Sequence, residues 1–207
     1  MTTVILSTAM RYPKQQKAET RAAILTAAAR LFRESGYDGV GVDAIMAEVG
    51  LTPGGFYAHF PSKEALFAEA MTTALDPGKT ILAAKYSDPS NTDRFTMLIK
   101  SYLSRAHRDS VADGCPLPVL TTDVARKSDA TRETYELQFL KYVNQIERLL
   151  PKVPEESRER ALAIVAQCVG GLMLSRAVKD MKLSDQILKS CRVAALAISG
   201  EARQLDR

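Results

Sequence analysis

Between Val42 and Phe60 the chain sets two short helical patterns on either side of a glycine turn, an order that suits a helix-turn-helix and little else. Val42, Ile45, Met46 and Val49 recur at i, i+3, i+4 and i+7, the spacing of one helical face. Gly50 follows where that helix must end, because glycine enters the left-handed region without a Cβ clash. Thr52 and Pro53 restart the chain as a helix. The Thr hydroxyl is placed to accept from an orphan amide, and proline suits the first helical position, where its missing N–H loses no partner.

The second helix, Pro53 to about Phe60, has an uneven wheel. At roughly 100° per residue, Phe56 and Phe60 point one way and Gly54, Gly55, Ala58 and His59 the other, with Tyr57 at the apolar margin. Two exposed glycines each cost roughly 1 kcal/mol of helix propensity relative to Ala, so stability does not account for them. Close approach to another surface does. A backbone bare of side chains reaches base edges in the major groove of a DNA duplex, with Tyr57 and His59 in range of phosphates or a thymine methyl. A plain surface helix over two core phenylalanines explains any one of these residues, but not the combination.

The flanks fit the same unit. Ile24, Leu25, Ala28, Leu31 and Phe32 stripe a helix expected from about Glu19 to Ser35 and closed by Gly36. Downstream, Pro61 stops the second helix of the motif, Ser62 is a plausible N-cap, and Leu66, Phe67, Ala70 and Ala74 define the inward face of a further helix. Lys63 sits in its first turn, close enough to share the backbone phosphates with His59, although a solvated lysine is the commoner use of such a position.

The segment from Glu19 to Ala70 resembles the DNA-binding domain of TetR/AcrR-type transcriptional regulators. The likeness rests on Ala-Ala-Arg-Leu-Phe-Arg-Glu-Ser-Gly-Tyr at 28–37, Gly-Leu-Thr-Pro-Gly-Gly-Phe-Tyr-Ala-His-Phe at 50–60 and Pro-Ser-Lys-Glu-Ala-Leu at 61–66. It implies an all-α homodimer that represses transcription from a palindromic operator until a small molecule binds the larger C-terminal domain. Carried over by position, Tyr57 and His59 match the aromatic and imidazole contacts of the family's recognition helix. Lys63 matches its phosphate-binding lysine, and Thr52, Pro53, Gly54 and Gly55 the turn and helix start that meet the DNA. The expected division is a flexible basic arm over 1–18, a helix-turn-helix domain over 19–61, and an effector-binding and dimerisation domain over 62–207. Two departures matter: Gly41 stands where the family often has a capping Thr or Ser, and Pro53, Gly54 and Gly55 offer no side-chain donors. Readout is therefore expected to lean on DNA shape and on Tyr57.

Composition is that of an ordinary soluble globule, 46% hydrophobic and 25% charged over 207 residues. The net charge of +4 suits a DNA binder only if positive charge is local, and Arg11, Lys14, Lys17 and Arg21 do gather near the N-terminus. They form either a frayed, solvated end or an arm along the DNA backbone. The apolar run within Met1–Ala9 is too short for a membrane or secretory segment, which leads to the expectation of a cytoplasmic protein with no membrane partner. Met10 is an alternative start. Three cysteines and two histidines without paired spacing indicate neither a disulfide framework nor a metal site, and no cofactor is expected. Cys168 and Cys191 fall on apolar stripes. Cys115, in the turn Asp113-Gly-Cys-Pro-Leu-Pro118, stands at an expected helix start where amides and dipole lower a thiol's pKa, which makes it a candidate redox or electrophile sensor.

Beyond the motif the chain reads helix after helix. Phe95, Leu98, Ile99, Tyr102, Leu103 and Ala106 stripe one, Leu117, Leu120 and Val124 a second, and Tyr135, Phe139, Tyr142, Val143, Ile146 and Leu149 a third. Asp76-Pro-Gly78, Ser87 to Asp93 and Pro151 to Pro154 punctuate them. Ordinary core is the usual use of such aromatics. Phe95, Tyr102, Cys115, Tyr135, Phe139 and Tyr142 are nonetheless candidates to line a small-molecule pocket with an apolar or aromatic occupant. The last two helices, about Glu155–Val178 and Ser184–Ser199, carry wide stripes, with Gly170-Gly171 and several alanines permitting close helix approach. Val165, Val169 and Leu172, with Ile187, Cys191, Ala194 and Ala195, are candidates for a four-helix dimer interface. An enzyme is not expected, because no framed nucleophile, phosphate loop or carboxylate cluster is present. A helical protein-binding adaptor is the remaining rival, and it leaves the bare glycine face unused.

Overall fold

The computed structural model describes residues 11–75, 94–150 and 156–199, with side chains from Gln15 onward. The turn segments expected at 76–78, 87–93 and 151–154, the apolar run at 1–9 and the alternative start at Met10 lie outside the described residues, as do the side chains of Arg11 and Lys14. Among the described residues every regular element is a helix: α1 Arg11–Ser35, α2 Val42–Glu48, a 3-10 helix Pro53–Ala58, α3 Lys63–Ala74, α4 Arg94–Tyr102, α5 Arg105–Asp109, α6 Leu117–Val124, α7 Asp129–Leu149, α8 Ser157–Ala177 and α9 Met181–Ile198.

α1 begins at Arg11, upstream of the expected start at about Glu19, so residues 11–18 are helical rather than a flexible arm. Gln15, Lys17, Ala18 and Glu19 are good helix formers, and Gln15 Nε2 donates to Glu19 Oε1 at 3.1 Å across one turn. The helix closes at Gly36, whose φ of +74° needs glycine and whose N–H donates to Phe32 O at 2.8 Å. α2 starts at Gly41 without a side-chain cap, as that residue type requires. It ends at Gly50, φ +71°, where the Leu51 N–H reaches Met46 O and the Gly50 N–H reaches Ala47 O, the paired bonds of a Schellman turn. Ser62 caps α3 by accepting from the Ala65 N–H at 3.0 Å.

Ile24, Phe32, Ile45, Met46, Phe56, Phe60, Leu66 and Phe67 are fully buried and close the head of the molecule. Each such side chain contributes roughly 1.5–3 kcal/mol by leaving water. α3 belongs to this core through Leu66 and Phe67 and also packs on α7, so a boundary at 61/62 falls at the start of a helix that both regions use. The body follows the expected stripes in part. Phe95, Leu98, Ile99 and Tyr102 of α4, and Leu117, Leu120 and Val124 of α6, are buried. Of the expected α7 stripe, Tyr142, Val143 and Ile146 are buried, while Tyr135, Phe139 and Leu149 keep part of their surface.

α8 and α9 lie along one another. At Gly171 a Cβ would stand 2.7 Å from both Cβ and Sγ of Cys191, so this glycine is what lets the two helices approach. α9 begins at Met181 rather than near Ser184, because the Asp180 carboxylate caps it by accepting from the Lys182 N–H at 2.9 Å.

Candidate functional site

Phe56 and Phe60 are buried with their rings stacked at 5.9 Å between centroids, and this pair fixes the segment between them. What remains outward is Thr52, Pro53, Gly54, Gly55, Ala58 and Tyr57, whose side chain is 71% exposed. A Cβ on Gly54 would meet nothing within 4 Å, and on Gly55 only Met46 Cε at 3.6 Å, so no contact within the subunit requires glycine at either place. Two sequence expectations are corrected. The segment is a 3-10 helix rather than an α-helix, which accords with its short length and the weak α-propensity of a glycine pair. Thr52 sits at its N-cap in extended backbone but makes no side-chain capping bond. Its carbonyl accepts from the Gly55 N–H at 3.1 Å instead.

The cationic residues sort differently from their sequence positions. His59 is half-buried, with Nδ1 enclosed and without a hydrogen-bond partner among the described residues. Lys63 is half-buried with its ammonium 4.1 Å from the centroid of the Tyr37 ring, and Lys127 of the loop after α6 stands at 3.4 Å from the same ring. Burial lowers the Lys63 pKa. Arg21, counted with the basic arm in sequence, is instead a structural residue. It pairs with Glu69 of α3 and lies 4.4 Å over the Phe60 ring, which braces the motif from behind.

A family model described as bacterial regulatory proteins, tetR family, matches residues 24–70, the span that holds this whole arrangement. The chain belongs to the TetR family. It is 27% identical over 169 residues to the HTH-type transcriptional regulator LmrA of Bacillus subtilis, covering 78% of this chain and 89% of that one. Over 199 residues it is 27% identical to the HTH-type transcriptional repressor BepR of Brucella suis, covering 91% and 95%. The fold matches a TetR transcriptional regulator from Chloroflexus aurantiacus with a TM-score of 0.73 at 23% identity, over 92% of this chain and 97% of that one. The TetR-family protein described here is therefore a helix-turn-helix transcriptional regulator, all-α, with a larger helical region behind its DNA-binding head.

Among the described residues, three sets of hydrogen bonds join head and body in this regulator. The Tyr37 N–H donates to Asp123 Oδ2 of α6 at 2.8 Å. The Glu64 carboxylate accepts from the Ser128 N–H at 3.1 Å, from the Ser128 hydroxyl, and from the Thr131 hydroxyl at 2.7 Å, all at the start of α7. These bonds hold the Glu64 pKa below the usual carboxylate range. Arg33 of α1 donates through Nε to Ala112 O.

Beside this last bond lies a cavity of about 490 Å³. Tyr102, Cys115 and Tyr142 line it, as the sequence suggested; Phe95, Tyr135 and Phe139 are not among its described lining. Phe95 is core, while Tyr135 stacks on Phe139 at 5.8 Å and shares a 3.1 Å hydrogen bond with Thr121. The head supplies one side of the wall through Thr26, Ala29 and Arg33 of α1 and Thr73–Leu75 at the end of α3. Nothing in the sequence marks these as lining, because they are brought there only when head and body dock.

Cys115 departs from the sensor expectation. α6 starts at Leu117, with Pro116 at the cap, and burial pushes the Cys115 thiol up, outweighing the bonding from Tyr102 and Leu117 and the nearby guanidiniums. Its N–H donates to His107 Nε2 at 2.9 Å while His107 Nδ1 lies 2.8 Å from Tyr102 O. Accepting at Nε2 and donating at Nδ1 require a neutral imidazole, and burial lowers the His107 pKa accordingly.

The candidate dimer residues divide. Val165, Leu172 and Ala195 are buried in the subunit's own core, a correction that follows from how closely α8 and α9 approach at Gly171. Val169, Ile187, Cys191 and Ala194 keep part of their surface. The exposed stripe is displaced around both helices and includes Leu162, Leu174 and Val193, with Gly170 facing open space.

Proposed function

We propose that this regulator is a homodimeric repressor that leaves a palindromic operator when a small molecule enters the cavity beneath α1. The observation that carries the DNA-facing part is the pair Gly54–Gly55, open on the outside and unneeded inside, beside a Tyr57 held out by two buried phenylalanines. In this reading Thr52, Pro53, Gly54 and Gly55 bring backbone to the groove, Tyr57 supplies the apolar and hydroxyl contact, and His59 Nε2 takes a phosphate. Lys63 and Lys127 add a local positive field from their place on Tyr37.

Dimerisation is supported by the exposed apolar stripe of Leu162, Val169, Gly170 and Leu174 on α8 with Ile187, Val193 and Ala194 on α9. Two copies docked through these helices would present two heads to half-sites about 34 Å apart. α8 is long and apolar enough to cross a bilayer, but its buried residues pack on α7 and α9 in the manner of a core helix, which fits a cytoplasmic protein. Release follows from the cavity's walls. An occupant pressing on α1 and the end of α3 shifts the head relative to α6 and α7, through Tyr37–Asp123 and Glu64–Ser128, and so changes the spacing of the two heads. Only a ligand that binds the DNA-free spacing more tightly does this, and DNA must then weaken the ligand by the same factor.

The test is affinity for the DNA flanking the protein's own coding region against random duplex, across a salt series. Specific nanomolar binding with a salt slope is expected, with Tyr57→Ala losing about tenfold, roughly 1.4 kcal/mol, at unchanged folding. A Tyr57→Ala variant that binds as tightly as the parent breaks the assignment of the groove face.

A further inference from the structure

Arg33 makes one hydrogen bond among the described residues, from Nε to Ala112 O, and no ion pair. Both Nη nitrogens are therefore unpartnered on a half-buried guanidinium that lines the cavity. A second guanidinium, Arg176 of α8, lies behind the Cys115 loop. It donates to Arg108 O and His107 O, while its Nη1 is enclosed without a partner among the described residues. The hydroxyl of Tyr102, fully buried and in the cavity wall, has only the weakly bonding Cys115 thiol beside it among the described residues. Against these two cations and this weakly held hydroxyl, the carboxylate in the described lining is Asp113, which is exposed at the rim and forms no ion pair among the described residues. His107 is held neutral by its two hydrogen bonds and offsets nothing.

A half-buried cation without an ion-pair partner is costly, as is a buried hydroxyl held only by a weak thiol contact. Both costs fall when an anion with an acceptor oxygen sits between them, and a guanidinium fork matches a carboxylate in both oxygens. The remaining wall is apolar or aromatic, with Ala29, Ala74, Leu75 and the Tyr142 ring. A volume of about 490 Å³ falls in the lower half of the range for small-molecule pockets.

Resting on the ligand-responsive reading above, we infer that the effector is a small monocarboxylate with an apolar or aromatic body, whose charge is bound by Arg33 of α1 and whose second oxygen is bound by the Tyr102 hydroxyl. The ligand's charge is thus received by the DNA-binding head itself. A carboxylate drawn to the Nη nitrogens pulls on the same guanidinium whose Nε ties α1 to Ala112 of the body, so binding bears directly on the contact between the two regions.

The experiment uses the full chain and a fixed set of probes: benzoate, cinnamate, phenylacetate and the C4 to C10 straight-chain carboxylates, each beside its uncharged primary amide. Thermal shift and operator release are read in parallel. Carboxylates of the set are expected to raise Tm and release DNA, and their amides to do neither at tenfold higher concentration. Arg33→Gln should abolish the response. Asp113→Asn, an exposed change that carries little folding risk, should tighten binding several-fold by removing the competing rim charge. Amides as effective as carboxylates, a response unchanged in Arg33→Gln and Asp113→Asn, or no response to any carboxylate overturns the inference. If operator binding persists in that last case, the regulator reading stands and only the ligand class is lost. If no DNA is bound at all, the functional reading fails first.

Discussion

The groove face and the cavity are built by opposite uses of small and aromatic residues. At Gly54 and Gly55 the fold leaves the outside empty over a rigid pair of phenylalanines, so the surface is pre-formed by local sequence. At the cavity the walls come from α1, α3, α4, α5, α7 and the Cys115 loop, and the polar groups are left short of partners. One surface is complete before docking and waits for a duplex. The other exists only because two regions dock, and its occupant must act on the docking.

The strongest way to break this contrast is at Phe67, which packs edge-on against both Phe32 and Tyr37 and lies where head and body share α3. Phe67→Ala should cost about 3–5 kcal/mol and lower Tm by on the order of 10 °C. Calorimetry checks whether the whole chain loses stability together. If the head melts alone and the body keeps its transition, the two regions are not coupled through α3.

A smaller effect sharpens the comparison through two glycines of different purpose. Gly171→Ala should destabilise by about 1–3 kcal/mol, because its Cβ enters the space of Cys191. Gly54→Ala should leave stability unchanged or raise it by up to about 1 kcal/mol while weakening operator binding. Denaturant midpoints and DNA titrations read both. A Gly54→Ala protein that binds DNA normally would show that the groove face does not need its bareness.

The smallest expected effect lies in pH. The Glu64 carboxylate is stabilised in the folded chain by donors at the start of α7, so its folded pKa lies below its unfolded one. Its contribution is therefore present above the unfolded pKa and is lost as pH falls through the folded pKa. Glu64→Gln should flatten the acid limb of stability, with little change near neutral pH beyond the loss of the charged acceptor. A variant with the same acid limb as the parent would remove Glu64 from the head-to-body contact.

Local pattern alone determined the helix-turn-helix, its glycine stops, the Ser62 cap and the inward phenylalanines, because each depends on residues within a few turns of one another. The same reasoning failed where the outcome depends on a distant partner. Arg21 reads as a basic-arm residue, yet Glu69 and Phe60 claim it. Cys115 reads as an activated thiol at a helix start, but burial within the body reverses the direction of its shift. Val165, Leu172 and Ala195 read as interface, and a close helix crossing turns them into core. Arg33 gave no sign of a binding role. Periodicity reports which face of a helix is apolar, but only tertiary packing decides which neighbour that face meets and which charges are left without partners.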